Sequence, residues 1–215
     1  MSDTVNNTLS PTASAFAITE IRVNDLFKPF TTVAGGNVTS NWMAGLSEWS
    51  SMYERYRVLG CKISTKFINQ TALPFHIYLG MNPANQLAPL SPSVAVNSVP
   101  WQEAKQTIMT NPKYYKYTTL GEVSGGKDCI TMTKYMSMRN LFSGGSVSSG
   151  EFMGQTSFSG LISGTPNYPA TSPTNPMFGY IGLLNTVPAV CTGVVTTQTK
   201  YTFYTQFSQK DTELN

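Results

Sequence analysis

The chain has 215 residues, of which 40% are hydrophobic and only 12% are charged. It therefore has enough apolar material for a sizeable core, but about half the charge of an ordinary soluble domain. A formal net charge of +3 does not by itself indicate nucleic-acid binding. We expect no signal peptide, because residues 1–10 hold no basic residue and no apolar run. We also expect no membrane partner, because no stretch approaches the roughly 20 apolar residues of a bilayer span.

The low charge has two interpretations. Interface cores are depleted in charge and enriched in aromatic residues and Met, and this chain has 11 Tyr, 11 Phe and 10 Met. Much of the surface would then be covered by neighbouring subunits. The alternative is a β-rich domain with a polar, uncharged surface. Composition alone favours neither.

The N-terminal third is predicted to contain an arm, a strand and a helix. Residues 1–15 are expected to form the arm, and Phe16–Val23 the first strand. The apolar parity of this strand shifts between Ile18 and Ile21, which indicates a bulge or burial on both faces. One helical face is predicted from about Leu46 onward by residues spaced i, i+3, i+7 and i+10, namely Leu46, Trp49, Tyr53 and Tyr56. Trp49, Tyr53 and Tyr56 are therefore predicted to serve in packing or assembly.

After Tyr56 the period changes to two, which predicts a long strand from Arg57 to about Ile68. One face is predicted to hold Leu59, Cys61, Ile63 and Phe67. The other face is predicted to hold Val58, Lys62, Ser64 and Lys66.

The remaining elements are mostly strands joined by long loops. A strand beginning at Phe75 alternates cleanly, with His76 and Tyr78 opposite its apolar residues. The other predictions are a loop over Asn82–Val99, a helical turn over Trp101–Gln106, strands over Tyr114–Leu120 and Cys129–Met138, a connection over Ser143–Pro176 with a short strand near Phe152–Phe158, and strands over Phe178–Leu184 and Val194–Phe207.

About eight strands, few helices and long loops predict an all-β fold, an eight-stranded jelly-roll sandwich. A single domain over residues 16–210 is expected, followed by a tail at 211–215, with one short helix before the long strand. Periodicity alone does not separate this fold from another Greek-key sandwich.

The sequence does not show the combinations of residues that catalytic sites and metal sites need. His76 is the sole histidine, whereas a cupin-type metal site needs several imidazoles. A Ser-His-acid triad would have to use His76 within a regular strand. Asp25 or Asp128 alone is weak evidence for calcium. We therefore predict no enzyme activity, no metal and no cofactor.

The three cysteines, Cys61, Cys129 and Cys191, each lie in or near a predicted strand, and none forms a CxxC pair. We expect buried free thiols in a reducing compartment.

Six basic residues could form one positive patch if the first strand lies near the helix–strand junction. They are Arg22, Lys28, Arg55, Arg57, Lys62 and Lys66. Such a patch would contact nucleic-acid phosphates without reading sequence. The alternative is that each side chain is solvated, or that Glu54 pairs with Arg55 or Arg57 at a subunit contact. Trp42 and Trp49 could stack on bases, although packing suits the helical position of Trp49 better.

One segment resembles the capsid proteins of circular single-stranded DNA viruses that encode their own replication initiator, the circovirus-like group. Those coat proteins commonly carry an aromatic-bearing helix followed by Tyr-x-Arg-Tyr-x-Val-x-Gly-x-Lys-Ile. The matching residues here are Tyr53-Glu54-Arg55-Tyr56-Arg57-Val58-Leu59-Gly60-Cys61-Lys62-Ile63. Val23–Pro29 and Met132–Phe142 are similar to two further segments of that group.

The resemblance implies a jelly-roll subunit that self-assembles as a homo-oligomer into a small icosahedral (T=1) shell around a genome. It implies localisation in the virion, single-stranded DNA as the nucleic-acid partner, and an unidentified host receptor. Because small RNA-virus coats share such folds, an RNA genome is also open.

The chain departs from that group at its N-terminus. Such coat proteins usually begin with an arginine-rich arm, whereas the first basic residue here is Arg22. A net charge of +3 offsets about three phosphates per subunit, while a packaged genome presents on the order of tens. Three explanations are open: other cations neutralise the genome, an arm was removed, or the shell encloses little nucleic acid.

A carbohydrate-binding, lectin-like jelly roll is the alternative function. Exposed aromatic side chains would stack on sugar rings, and Tyr78, Tyr114 and Tyr168 are the candidates.

Overall fold

The computed structural model describes residues 1–9, 16–26, 29, 43, 46–50, 53–83, 99–141, 153–155, 173, 177–186 and 193–209. These ranges contain nine strands: β1 Ser2–Leu9, β2 Phe16–Arg22, β3 Tyr53–Asn69, β4 Phe75–Pro83, β5 Tyr115–Leu120, β6 Cys129–Ser137, β7 Met153–Gln155, β8 Met177–Asn185 and β9 Val195–Gln209. They also contain three helices: α1 Leu46–Ser50, α2 Val99–Thr110 and α3 Met138–Leu141.

The strands form two antiparallel sheets. The five-stranded sheet has the order β1-β9-β3-β6, with the short β7 also pairing with β3, and the four-stranded sheet has the order β2-β8-β4-β5. Most connections cross between the sheets, as from β1 to β2 or from β8 to β9, while β4 and β5 are neighbours in one sheet. With the short β7 set aside, the eight remaining strands have the order of a jelly roll, so the predicted fold is confirmed.

The core lies between the two sheets, because every second residue of each strand points inward. Ile63 and Phe67 of β3 face Phe75 and Ile77 of β4 within one cluster of buried side chains, and Phe203 of β9 belongs to it as well. The buried hydroxyls of Thr65 and Thr199 are 3.0 Å apart, so these two inward polar groups satisfy each other.

Residues 1–15 were expected to form an arm, but Ser2–Leu9 is a strand of the five-stranded sheet. It pairs antiparallel with β9 from Ser2↔Thr202 to Leu9↔Val195. Its sequence, SDTVNNTL, has only two apolar residues at inward positions, Val5 and Leu9, so the local pattern gives little strand signal. Pairing with the long β9 supplies the stability that the local pattern lacks.

The predicted helical face was wrong beyond Ser50. α1 ends there, and Tyr53 and Tyr56 lie in β3 instead. The pairing of β3 with β9 shifts register between Tyr53 and Arg55, which marks a β-bulge. The bulge changes the spacing of the inward aromatics, and that spacing resembles a helical period.

A second bulge corrects the predicted faces of the long strand. The β3–β9 register shifts again between Val58 and Gly60, so Leu59 is the extra residue. Val58 is buried and Leu59 is 43% exposed, the reverse of the prediction. From Cys61 onward the alternation is regular, and the predicted inward positions of Cys61, Ile63 and Phe67 are confirmed.

Much of the four-stranded sheet is buried on both faces, above all along β8 and β4. Helix α2, longer than the single turn predicted, contacts β5, and its Ile108 joins a second cluster with Tyr78, Tyr115, Phe178, Tyr180 and Leu184. Burial on both faces also explains the parity shift in β2: Ile21 lies in the core, and Ile18 packs against the second cluster. The pairing of β2 with β8 has no register shift, so no bulge is needed.

Several predictions concern residues outside the described ranges: Lys28, Trp42, Tyr168, Cys191, and most of the two long loops.

Cys61 is buried as predicted, but Cys129 is exposed because it begins β6 at the end of the sheet. In the described part of the chain, no helix has the length and apolar character needed to span a membrane.

Candidate nucleic-acid interface

Basic side chains follow the outward face of β3. The inward positions of β3 are Tyr56, Val58 and every second residue from Cys61 onward. The positions between them point away from the core, and they include Arg55, Arg57, Lys62 and Lys66. Arg55, Lys62 and Lys66 are exposed, and Arg57 is half-buried. The sheet therefore brings together four of the six basic residues predicted to form a patch.

Lys200 of β9 joins this row and was not among the predicted site residues. It lies opposite Ser64, which places it diagonally between Lys62 and Lys66. Diagonal neighbours in an antiparallel sheet are about 7–8 Å apart, and residues four apart on a strand are about 13 Å apart. We define the basic face by its five side chains: Arg55, Arg57, Lys62, Lys66 and Lys200.

No acidic residue occurs in β6, in β9, or in β3 after Glu54. Among the residues that the structure describes, no carboxylate pairs with Lys62, Lys66 or Lys200. The chain as a whole has 14 basic and 11 acidic residues. Charge is thus segregated: the chain as a whole is nearly balanced, whereas the outward face of β6, β9 and β3 after Glu54 carries basic and no acidic residues. Such a face attracts polyanions.

Arg22 does not belong to the basic face. It ends β2 in the other sheet, and its Nη1 lies 3.6 Å from Oδ2 of Asp25, whose side chain is 1% exposed. Asp25 also accepts a hydrogen bond from the Tyr56 hydroxyl. Arg22 therefore lies apart from the other four predicted residues, beside a buried carboxylate.

Two exposed tyrosines lie beside the basic face. Tyr135 of β6 is opposite Lys62 on β3, and Tyr204 of β9 is opposite Gly60. Their ring centroids are 5.6 Å apart and their planes are at 88°, an edge-to-face pair. The side chains are 56% and 47% exposed. A Cβ at Gly60 would lie 2.9 Å from the Tyr135 hydroxyl, so the absence of a side chain there makes room for the ring.

A second aromatic group, separate from the tyrosine pair, occupies one end of the five-stranded sheet. The Trp49 ring is stacked on Phe207 with centroids 5.1 Å apart, and on Tyr53 at 5.8 Å. Trp49 is 40% exposed, and the group borders a concavity of about 540 Å³ that Met1 and Thr205 also line. We call Trp49, Tyr53 and Phe207 the aromatic corner. Tyr56, by contrast, is fully buried.

No protein-family model matches the chain, and no curated protein sequence matches it. Solved viral structures do resemble it. Desmodium yellow mottle tymovirus matches with 10% identity and a TM-score of 0.31, over 98% of this chain and 91% of that chain. A T=1 subviral particle of a Penaeus vannamei nodavirus capsid protein deletion mutant matches with 10% identity and a TM-score of 0.44, over 96% and 95%. Deformed wing virus carrying the GFP gene matches with 14% identity and a TM-score of 0.42, over 97% of this chain and 46% of that chain.

These identities and TM-scores are low, so the fold assignment depends on the strand order and the function on the residues themselves.

The structure also weakens the carbohydrate-binding alternative. Tyr78 was predicted to be exposed, but it is 1% exposed beneath α2. Tyr114 is half-buried, so the structure does not present these two rings as an open platform.

Two further lysines lie where the edge strands β5 and β6 approach each other, and both bind backbone carbonyls within the fold. Lys116 donates a hydrogen bond from Nζ to the Thr133 carbonyl at 3.4 Å, and Lys134 donates to the Lys113 carbonyl at 3.0 Å. Burial, and then the nearby Lys116 charge, lower the pKa of Lys134 below its ordinary value. These side chains connect the edges of the two sheets.

Sequence reasoning missed Lys200 and the tyrosine pair for one reason. The alternation of β9 places Lys200 and Tyr204 together on the exposed face, opposite the buried Tyr201 and Phe203. What the sequence does not reveal is which strand lies beside β9. The register of β3 against β9 joins segments about 135 positions apart, and it alone brings Lys200 next to Lys62 and Lys66.

Proposed function

We propose that this chain is a structural coat subunit whose copies assemble into a closed shell within a virion. In this proposal the basic face is turned toward an enclosed nucleic acid. The five side chains bind phosphates without reading sequence, and no step of catalysis is involved.

The observation that carries the proposal is the segregation of charge on the jelly roll. Five basic side chains lie on one sheet face, and the three strands that form it contain no acidic residue after Glu54. Along β3, Arg55 to Lys66 spans about 30 Å at the rise of an extended strand. A one-sided row of this length suits a polyanion that runs along the sheet better than a small ligand.

The aromatic corner supports contact with a second copy of the chain. Trp49 is large, exposed and stacked on neighbours that hold it in place. Aromatic residues of this kind are enriched at the centres of interfaces, where partners exclude water from them. Two surfaces that differ within one subunit make a heterologous contact, and such contacts close into rings when the rotation between copies permits.

The finer parts of the proposal depend on the sequence resemblance. Tyr53–Ile63 matches the motif of circovirus-like coat proteins, which supports an icosahedral T=1 shell and a single-stranded DNA genome. The structure gives this segment a consistent role: it contributes the fully buried Tyr56 and the outward Arg55, Arg57 and Lys62. Five cations per copy remain far fewer than the phosphates of a packaged genome, so the basic face alone does not neutralise one.

Electron microscopy and mass measurement of the purified full-length protein test this proposal. We expect closed particles of uniform size, whose mass gives the copy number. The ratio of absorbance at 260 and 280 nm reports enclosed nucleic acid. A protein that stays monomeric at high concentration over a range of salt and pH would contradict the proposed shell.

The variant Lys62→Ala/Lys66→Ala/Lys200→Ala separates the two parts of the proposal. We expect it to assemble with less enclosed nucleic acid, and therefore with a lower ratio of absorbance at 260 to 280 nm. The matched control is Lys105→Ala/Lys113→Ala/Lys127→Ala, which removes three lysines from outside the basic face. If both variants enclose the same amount of nucleic acid as the parent, the basic face is not the contact.

A further inference from the structure

The tyrosine pair beside the basic face has no role in the core. Tyr135 and Tyr204 are more than two-fifths exposed, yet each is fixed by the sheet and by its edge-to-face contact with the other ring. Gly60 makes the space beneath Tyr135, because a Cβ there would lie 3.1–3.2 Å from the ring atoms Cε2 and Cζ. The rings are therefore held in position while part of their surface remains open.

We infer that Tyr135 and Tyr204 form a base-stacking site, and that the nucleic acid bound at the basic face is single-stranded. Lys62 lies directly opposite Tyr135 in the register of β3 with β6. It is also a diagonal neighbour of Tyr204, because Lys62 pairs with Thr202 on β9. A phosphate held by Lys62 would place the attached nucleotide at the rings, and Lys200 and Lys66 continue the row for the following phosphates.

Selectivity follows from geometry. Every base has a flat face that stacks on an aromatic ring, so stacking tolerates any sequence but needs a base that is not paired within a duplex. The phosphates of a duplex would reach only the lysines. The lysines therefore supply affinity for either form, and the tyrosines supply the preference for single strands. This inference deepens the proposed function, because it names the class of nucleic acid that the basic face takes.

Binding of defined oligonucleotides to the full-length chain tests the inference. The protein is dissociated and freed of nucleic acid in high salt, and then titrated with fluorescent oligothymidine about 12 nucleotides long or with a hairpin duplex of equal charge. We expect Tyr135→Ala/Tyr204→Ala to lose about tenfold or more in affinity for oligothymidine. We expect no change in its affinity for the duplex.

Three controls separate stacking from other effects. Tyr135→Phe/Tyr204→Phe keeps both rings and should bind oligothymidine as the parent does. Tyr117→Ala removes a tyrosine that is 44% exposed on the other sheet and should change nothing. Lys62→Ala/Lys200→Ala should weaken both ligands and reduce the slope of log affinity against log salt by about one per lysine.

The outcomes decide the matter. Equal losses for oligothymidine and duplex in Tyr135→Ala/Tyr204→Ala, or no loss for either, would overturn the stacking site. Because binding is measured on dissociated subunits, this result does not depend on whether particles form. Far-UV circular dichroism and thermal unfolding of each variant exclude misfolding as the cause.

Discussion

The hydroxyl of Tyr56 donates a 3.0 Å hydrogen bond to Oδ1 of Asp25, and this bond joins the two sheets of the jelly roll. Tyr56 lies in β3, and Asp25 lies in the turn that follows β2. The backbone N–H of Leu26 also donates to the Tyr56 hydroxyl, at 3.3 Å. Both side chains are almost completely buried. A buried carboxylate of this kind depends on its donors.

Replacing Tyr56 by Phe removes one donor to Asp25 and leaves the ring in place. We expect the free energy of unfolding to fall by about 1–3 kcal/mol, because a buried polar group loses its partner. Urea denaturation of dissociated subunits measures the change. Tyr204→Phe, which removes a solvent-exposed hydroxyl, is the control and should lie within about 0.5 kcal/mol of the parent. Equal stability of Tyr56→Phe and Tyr204→Phe would show that the bond contributes nothing.

Tyr56 also shows how far the sequence predicts the fold. β9 and the part of β3 after Gly60 alternate regularly between buried and exposed positions, so their inward faces were predictable. Before Gly60, bulges at Tyr53/Arg55 and Val58/Gly60 shift the alternation. One sequence of aromatics then fits a helical period as well as a bulged strand. The choice depends on pairing with β9, which is a contact between distant segments.

The candidate site was predictable to the same extent. Arg55, Arg57, Lys62 and Lys66 share one strand, so their common face follows from local alternation once the bulge is allowed for. Lys200, Tyr135 and Tyr204 reach that face only through the registers of β9 and β6 with β3. The sequence does not show that Arg22 lies in the other sheet beside the buried Asp25, so its separation from the basic face was not predictable.

Trp49 tests whether the aromatic corner serves assembly. The side chain is 40% exposed, so Trp49→Ala should destabilise the subunit by less than the ~3–5 kcal/mol of a fully buried Trp. If a second copy covers the corner, the same variant should lose assembly while the subunit stays folded. Sedimentation and thermal unfolding report the two effects separately.

The matched control is Trp49→Phe, which preserves an aromatic ring against Phe207 and should assemble. Particles of normal yield and stability from Trp49→Ala would exclude the corner from the subunit contact. Unfolding of Trp49→Ala under conditions where Trp49→Phe is stable would instead assign the corner to packing within one subunit.

Gly80 tests the packing beneath α2. A Cβ at this position would lie 2.5 Å from Cε1 of Tyr115, whose ring is buried. Gly80→Ala should therefore lower the free energy of unfolding by about 1–3 kcal/mol, because the core is overpacked. Combining it with Tyr115→Ala removes the clash, so the double variant should lose less than the sum of the single changes. Additive losses would show that the two positions do not compete for space.

The thiols of Cys61 and Cys129 should differ in reactivity. Burial raises the pKa of Cys61 far above its ordinary value, so its thiol stays protonated at neutral pH. The thiol is also buried and therefore inaccessible to reagents. Cys129 is exposed. Since the thiolate is the nucleophile, iodoacetamide at mildly alkaline pH should label Cys129 in the folded protein and Cys61 only after denaturation. Peptide mass spectrometry locates the label, and early labelling of Cys61 in folded protein would contradict the buried position.

His76 gives the fold a dependence on pH that can be isolated. Its ring is half-buried on β4, with Nδ1 3.1 Å from the Thr119 hydroxyl oxygen. Burial, and then the nearby Lys105 charge, lower the pKa of His76 below its ordinary 6.5. The unfolded chain therefore takes up this proton at a higher pH than the folded chain does. The contribution of neutral His76 to the free energy of unfolding is fully present above pH 6.5 and is lost as the pH falls below that value.

His76→Gln removes the titrating group and keeps a polar side chain near Thr119. Between pH 7 and pH 5 the parent should lose more free energy of unfolding than the variant, because carboxylates titrate in both chains and only the parent titrates His76. Lys105→Gln should fall between them, since it removes the second cause of the shift and leaves the burial. Urea denaturation at the two pH values measures each loss, and equal losses in the parent and His76→Gln would show that the folded and unfolded states bind this proton equally well.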